Sequence, residues 1–152
     1  MEIRPGGIAA MRSRDPVMAS EPSMAKPEHL ATLKQGVKVW NEWKAHHKGR
    51  PSLSGAKLYR AKLRAVDFDW ADLRGADLRR ANLAYADLGS ADLTSANLRG
   101  ANLAWANLMN AKLHGANLEN ACLIRAYAAD ADLTVANLRG ADLWSASLSY
   151  AD

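Results

Sequence analysis

From Pro51 to Tyr150 the sequence repeats every five residues without insertion. That period is neither the roughly 3.6-residue repeat of a helix nor the alternation of a simple strand. The register starts Pro51-Ser-Leu-Ser-Gly55, Ala56-Lys-Leu-Tyr-Arg60 and continues to Ala146-Ser-Leu-Ser-Tyr150, which makes twenty repeats. Position 3 is Leu in eighteen of them, with Phe68 and Ala128 as the exceptions. Position 1 is Ala except at Pro51 and Val66, and position 2 favours Asp or Asn. One large and one small apolar position per repeat implies two inward side chains and three outward ones. Such a unit cannot bury its apolar pair alone, so it must stack on neighbours above and below.

The pattern closely resembles the pentapeptide-repeat family, whose consensus is A(D/N)LXX. That resemblance implies an all-β fold, a right-handed quadrilateral β-helix with four repeats per coil and about five coils. At about 4.8 Å per layer the solenoid is roughly 24 Å long. Its interior is then a ladder of leucines with alanines at the corners, oversized at Phe68 and undersized at Ala128. A Leu-sized gap at 128 costs a few kcal/mol unless neighbours collapse into it. Leu33-Lys-Gln-Gly-Val37, Trp40-Asn-Glu-Trp43 and Pro51-Ser-Leu-Ser-Gly-Ala56 are similar to the helix and first coil that precede many such arrays.

Three segments follow. Residues 1–26 carry Pro5, Pro16 and Pro22 without apolar periodicity and read as a flexible leader. Residues 27–50 read as one amphipathic capping helix, spanning 27–47, and a linker. Pro27 and Glu28 suit its first turn. Leu30, Leu33, Val37, Trp40 and Trp43 fall within an arc of about 140° and form the lid over the first coil. Gly36 lies inside that arc, which suggests close approach to another backbone, and Gly49 and Pro51 stop the helix. Residues 51–152 form the repeat domain. Its last coil exposes unpaired backbone and an apolar cross-section. Either two chains meet there end to end as a homodimer, or the chain is a piece of something longer. Relatives of the fluoroquinolone-resistance type dimerise through their C-terminal coils, and the resemblance favours the first.

Charge is unevenly distributed. The net +4 comes from residues 1–50, with nine Lys/Arg against five Asp/Glu, while residues 51–152 hold eleven of each. Every twentieth residue should stack, so outward residues sort by side. The side centred on Leu58, Leu78, Leu98, Leu118 and Leu138 carries Lys57, Arg60, Arg79, Arg80, Arg99 and Arg139 against Asp77 and Glu119. The opposite side, centred on Phe68, Leu88, Leu108, Ala128 and Leu148, carries Asp67, Asp69, Asp87 and Asp130 and no cation. Between them, the side centred on Leu63, Leu83, Leu103, Leu123 and Leu143 displays Ala84, Tyr85, Ala104, Trp105, Ile124 and Trp144. Tyr85, Trp105, Ile124 and Trp144 are read as an apolar interaction patch.

Nothing here supports catalysis, a metal or a cofactor. His46 and His47 adjoin near the helix end, His29 and His114 lie apart in sequence, and the lone Cys122 leaves no zinc quartet. One cysteine also excludes an internal disulfide framework, and no apolar run reaches the roughly 18 residues of a membrane span. A cytoplasmic protein is expected. The Asp and Asn at position 2 are expected to bond backbone at the corners. Direct nucleic-acid binding is not expected, because aromatics do not interleave with the basic side beyond Tyr59. The leading expectation is a non-enzymatic scaffold that binds a protein partner. The alternative implied by the resemblance is a DNA mimic that binds gyrase or topoisomerase and protects it from drugs or toxins.

Overall fold

The computed structural model describes residues 24–152. Most of the expected leader, residues 1–23, lies outside the described residues. From Ser52 onward each second-position residue pairs in parallel with the residue twenty positions later, from Ser52↔Asp72 to Tyr127↔Ser147. Four repeats therefore complete one coil, and the coils stack as a β-helix. Each pairing is a single-residue bridge, because a turn follows every rung.

The turn explains the period. The position-1 amide donates to the carbonyl three residues back, as Ala56 does to Leu53 at 3.0 Å and Ala76 to Leu73 at 3.0 Å. The residue at position 5 takes a positive φ, from Gly55 at 67° through Trp105 at 62° to Tyr150 at 59°. A closed turn with only its third residue in that region is type II. Position 2 secures the same corner. In all thirteen repeats with Asp or Asn there, its Oδ1 accepts the amide of the residue two further on. The carboxylates and amides of the repeat are thus structural groups first.

The core is the ladder the period dictates. Leu53, Leu73, Leu93 and Leu113 are fully buried, as are Leu83, Leu88, Leu98, Leu103 and Leu108. Ala128 is also buried. In the last coil Leu133, Leu138 and Leu143 are only partly buried, and Leu148 is 37% exposed.

The cap differs from the single helix expected over 27–47. It is two helices, α1 (Pro27–Lys34) and α2 (Val37–His46). They part at Gly36, which has φ 112° and ψ 163° and leads into α2. Close approach does not explain this glycine, since a Cβ there would meet nothing within 4 Å. Its φ does, because L side chains rarely adopt that conformation. Leu33 and Trp40 are buried, while Leu30, Val37 and Trp43 are partly buried against the core.

The cap also supplies hydrogen bonds that a preceding coil would otherwise make. Residues 24–26, placed with the flexible leader, are instead paired to the first coil. The Ala25 amide donates to the Ser54 carbonyl at 2.8 Å and the Lys26 amide to the Ser52 carbonyl at 3.1 Å. The Ser52 amide donates to His29 Nδ1 at 2.9 Å. Trp40 Nε1 donates to the Asp67 carbonyl, and the Asn41 carboxamide meets both the Asp67 amide and the Ala65 carbonyl. A sheet edge that would otherwise template further pairing is thereby covered.

Candidate functional site

Positions 4 and 5 project outward at every corner, so side chains there stack along the coil axis. On the side centred on Leu63, Leu83, Leu103, Leu123 and Leu143, the position-5 rings of Tyr85 and Trp105 lie 6.0 Å apart with planes 5° from parallel. Arg64 from the coil below sits 4.3 Å from the Tyr85 ring centroid. Arg125 from the coil above sits 4.7 Å from the Trp105 ring and 5.2 Å from the Trp144 ring. Arg64, Tyr85, Trp105, Arg125 and Trp144 thus form one continuous series from the first coil to the last.

The contacts of the series form within one chain, with no partner needed. Arg125 touches two rings, worth about 1–2 kcal/mol of cation–π attraction, against roughly 2 kcal/mol of rotamer entropy. The stacked ring pair adds about 0.5–1.5 kcal/mol. Yet Tyr85, Trp105 and Trp144 remain 49%, 47% and 62% exposed. What they present is their edges, since Tyr85 is covered by Arg64 and Trp105, and Trp105 by Tyr85 and Arg125. A flat ligand would find an open ring face only at Trp144. Ile124 is half-buried beside the series, and Ala84 is buried, so the apolar surface is narrower than the side-by-side sorting implies.

Arg64 and Arg125 were missed in the sequence. Their signal is spacing: Arg64 precedes Tyr85 by 21 residues, and Arg125 follows Trp105 by 20 and precedes Trp144 by 19. A twenty-residue coil brings all of these together.

On the basic side the arginines are unequal. Arg79 makes a two-pronged pair with Asp77 at 2.7 Å on each prong, and Arg99 reaches Glu119 at 3.5 Å. The guanidinium of Arg79 holds the Asp77 carboxyl below its ordinary value. Arg60 and Arg79 flank the Tyr59 ring at 5.1 and 5.5 Å. Lys57 and Arg139 are exposed. Tyr59, Arg79, Arg80, Arg99, Gly100 and Asn120 line a recess of about 380 Å³.

The acidic side is partly self-engaged. Asp67 accepts the Asp69 amide, and Asp87 accepts the Gly89 amide and the Asn107 carboxamide. Burial and then Asp87 hold the Asp69 carboxyl above its ordinary value, against the pull of Lys44 on α2. A Cβ on Gly89 would lie 2.9 Å from Asp69 Oδ1 and 3.2 Å from Asp87 Oδ1, so glycine lets those carboxylates close over it. Asp130 is exposed. This side also carries exposed Trp70, Met109, Tyr127 and Tyr150, which the sorting by charge passed over.

The side centred on Leu73, which carried no sequence expectation, is polar. Asp72 pairs with Arg74 at 2.7 Å and Asp92 with Arg50 at 3.2 Å. Among the described residues no helix is long and apolar enough to cross a membrane.

The profile for pentapeptide repeats matches residues 52–88, 61–100, 86–123 and 129–152 in eight copies. The crystal structure of Rfr23, a pentapeptide repeat protein of the cyanobacterium Cyanothece 51142, is 29% identical with a TM-score of 0.56. That match covers 68% of this chain and 65% of that one. A pentapeptide repeat protein of the Arabidopsis thaliana thylakoid lumen is 34% identical with a TM-score of 0.53, covering 64% of each chain. The chain thus matches under two thirds of the length of either relative. QnrB1, a plasmid-mediated fluoroquinolone resistance protein, is 17% identical with a TM-score of 0.38, too slight a likeness to carry an argument. No curated protein matches the sequence. With the repeat profile matched over most of the chain and the coils observed, the chain belongs to the pentapeptide-repeat family and has its right-handed β-helix fold.

Proposed function

We propose that this protein is a non-enzymatic scaffold whose aromatic–arginine side binds a protein partner. The observation that carries the reading is the series Arg64, Tyr85, Trp105, Arg125 and Trp144, exposed and already in mutual contact. Tyr, Trp and Arg dominate the binding energy of protein interfaces, and contacts that already restrict their rotamers lower the entropy cost of association. Covered ring faces favour a partner that packs against edges and guanidinium groups over one that intercalates bases.

The duplex-mimic reading has weaker support. A duplex carries about one charge per 1.7 Å, whereas four carboxylates along a solenoid of roughly 24 Å give about one per 6 Å. Two of those four, Asp67 and Asp87, are also engaged in the corner turns. Burial and neighbouring charge further disfavour ionisation of Asp69.

The test is affinity capture from lysate with wild type, a Trp105→Ala/Trp144→Ala variant and an Arg60→Ala/Arg139→Ala variant of the basic side. A partner retained by wild type and the basic-side variant, and lost by the double tryptophan variant, is expected. Equal recovery by all three removes the aromatic side as the binding surface.

A further inference from the structure

The recess on the basic side joins three features that no part of the fold requires together. Arg80 occupies position 5 of the second coil, and among the described residues its side chain has no ion pair, hydrogen bond or ring contact. Its neighbours are committed elsewhere: Arg79 to Asp77, Arg99 to Glu119 and Arg60 to the Tyr59 ring. Directly above Arg80 in the stack, position 5 is Gly100, and above that it is Asn120. The missing side chain at 100 opens the floor of the recess. A Cβ there would touch only the Arg80 side chain, at 3.6 Å.

Glycine is not needed at 100 for the turn. Asn110 and Asn120 take φ of 56° at the equivalent position, and Arg80 itself does the same. What glycine adds is space between a free guanidinium and a carboxamide. Arg79 and Arg99 line the same recess, with Tyr59 as its aromatic wall.

We infer that the recess over Gly100 is a binding site for a phosphomonoester, with Arg80 as the principal ligand and the Asn120 carboxamide as a second donor. A planar guanidinium meets two phosphate oxygens at once, and charge-assisted bonds of this kind are about twice as strong as neutral ones. Arg79 and Arg99 keep their carboxylates and contribute field. The volume, about 380 Å³, exceeds that of a phosphate and leaves room for the group that carries it. Tyr59 would line that group. The site is a single recess, with Asp77 and Glu119 beside it, and this favours one compact dianion over an extended polyanion. It lies on a different side from the aromatic series and does not rest on the scaffold reading.

The experiment titrates the full chain with inorganic phosphate and with O-phosphoserine, against chloride at matched ionic strength, following the arginine Nε–Hε signals by NMR. Wild type is compared with Arg80→Gln and with Gly100→Asn, which fills the recess with a residue that positive φ tolerates. Saturable shifts at Arg80 are expected in wild type, with affinity at least about tenfold weaker in both variants. Tighter binding of O-phosphoserine than of phosphate is expected, and equal binding would show that the recess takes the anion alone and overturn the assignment of a carried ester. No saturable shift in wild type, or equal affinity in the folded variants, overturns the proposal. So does a duplex oligonucleotide that binds through Arg80 when neither small phosphate does, since the surface would then be a polynucleotide track. Retention of the wild-type amide spectrum confirms that each variant is folded.

Discussion

Trp40 stands edge-on to Phe68, with ring centroids 5.5 Å apart and planes at 81°, so the one oversized rung of the ladder lies directly beneath the cap. Phe68 therefore does not distort the interior of the stack. It closes the first coil against a fully buried indole whose Nε1 donates to the Asp67 carbonyl at 2.6 Å. Trp40→Ala should cost about 3–5 kcal/mol, because a large cavity opens at the end of the core. Trp40→Phe keeps most of the burial and loses the donor, leaving the Asp67 carbonyl unmet at about 1–3 kcal/mol. Urea unfolding followed by far-ultraviolet circular dichroism measures both. A Trp40→Ala variant within about 1 kcal/mol of wild type would show that the cap does not hold the solenoid.

The parts legible in the sequence were those that depend on period alone. One Leu and one Ala per five residues dictate an inward ladder whatever the outward residues are, and thirteen Asp or Asn at position 2 mark the corners. The break at Gly36 was not legible. A lone glycine within helical periodicity has the same letter whether it is helical or sits at φ 112°, and Leu30, Leu33, Val37 and Trp40 keep their arc either way. Arg64 and Arg125 escaped for a different reason. Counting charge and aromatic surface separately hides contacts between coils, in which Arg64 at position 4 covers a ring of the next coil and Arg125 at position 5 covers rings of both neighbouring coils.

Asn41 stands in for a missing coil at the Asp67 amide and adds a bond to the Ala65 carbonyl that no coil makes. Its Oδ1 accepts the Asp67 amide and its Nδ2 donates to the Ala65 carbonyl, each at 2.9 Å. Asn41→Asp keeps the acceptor and loses the donor, whereas Asn41→Ala loses both. The expected order of stability is wild type, then Asp, then Ala, with about 1 kcal/mol per lost bond. Amide exchange at Asp67 separates the two effects, since only Asn41→Ala should accelerate it strongly.

Val135 is a β-branched residue at φ 51°, 76% exposed. Its side chain is largely in solvent, so little burial offsets the positive-φ cost of roughly 1–2 kcal/mol. Val135→Asn should stabilise the protein by about 1 kcal/mol, because asparagine tolerates this region and retains a side chain. Val135→Gly should gain less, since glycine widens the unfolded ensemble. Thermal unfolding of the three proteins gives the order. A Val135→Asn variant that melts no higher than wild type would mean the turn strain is absorbed elsewhere.

Asp77 and Asp69 should carry opposite pH dependences. The bonds from Arg79 hold Asp77 below the ordinary carboxylate value. A lowered folded value means the ionised group stabilises the fold above the unfolded value near 4, with the contribution lost as pH falls through the lower folded value. Burial and Asp87 hold Asp69 above its ordinary value, so its ionised form destabilises the fold at neutral pH and its protonation in acid relieves that. Asp77→Asn removes the charge while keeping the corner acceptor, as Asn97 and Asn117 do in the same stack. It should lower stability at pH 7 and match wild type at about pH 2. Asp69→Asn should raise stability at pH 7, with the gain fading as the medium approaches about pH 3. Denaturant midpoints at pH 7, 5, 3 and 2 would show two difference curves of opposite sign converging in acid. A same-sign pair would mean that the Asp69 carboxylate is better solvated than its place above Gly89 implies.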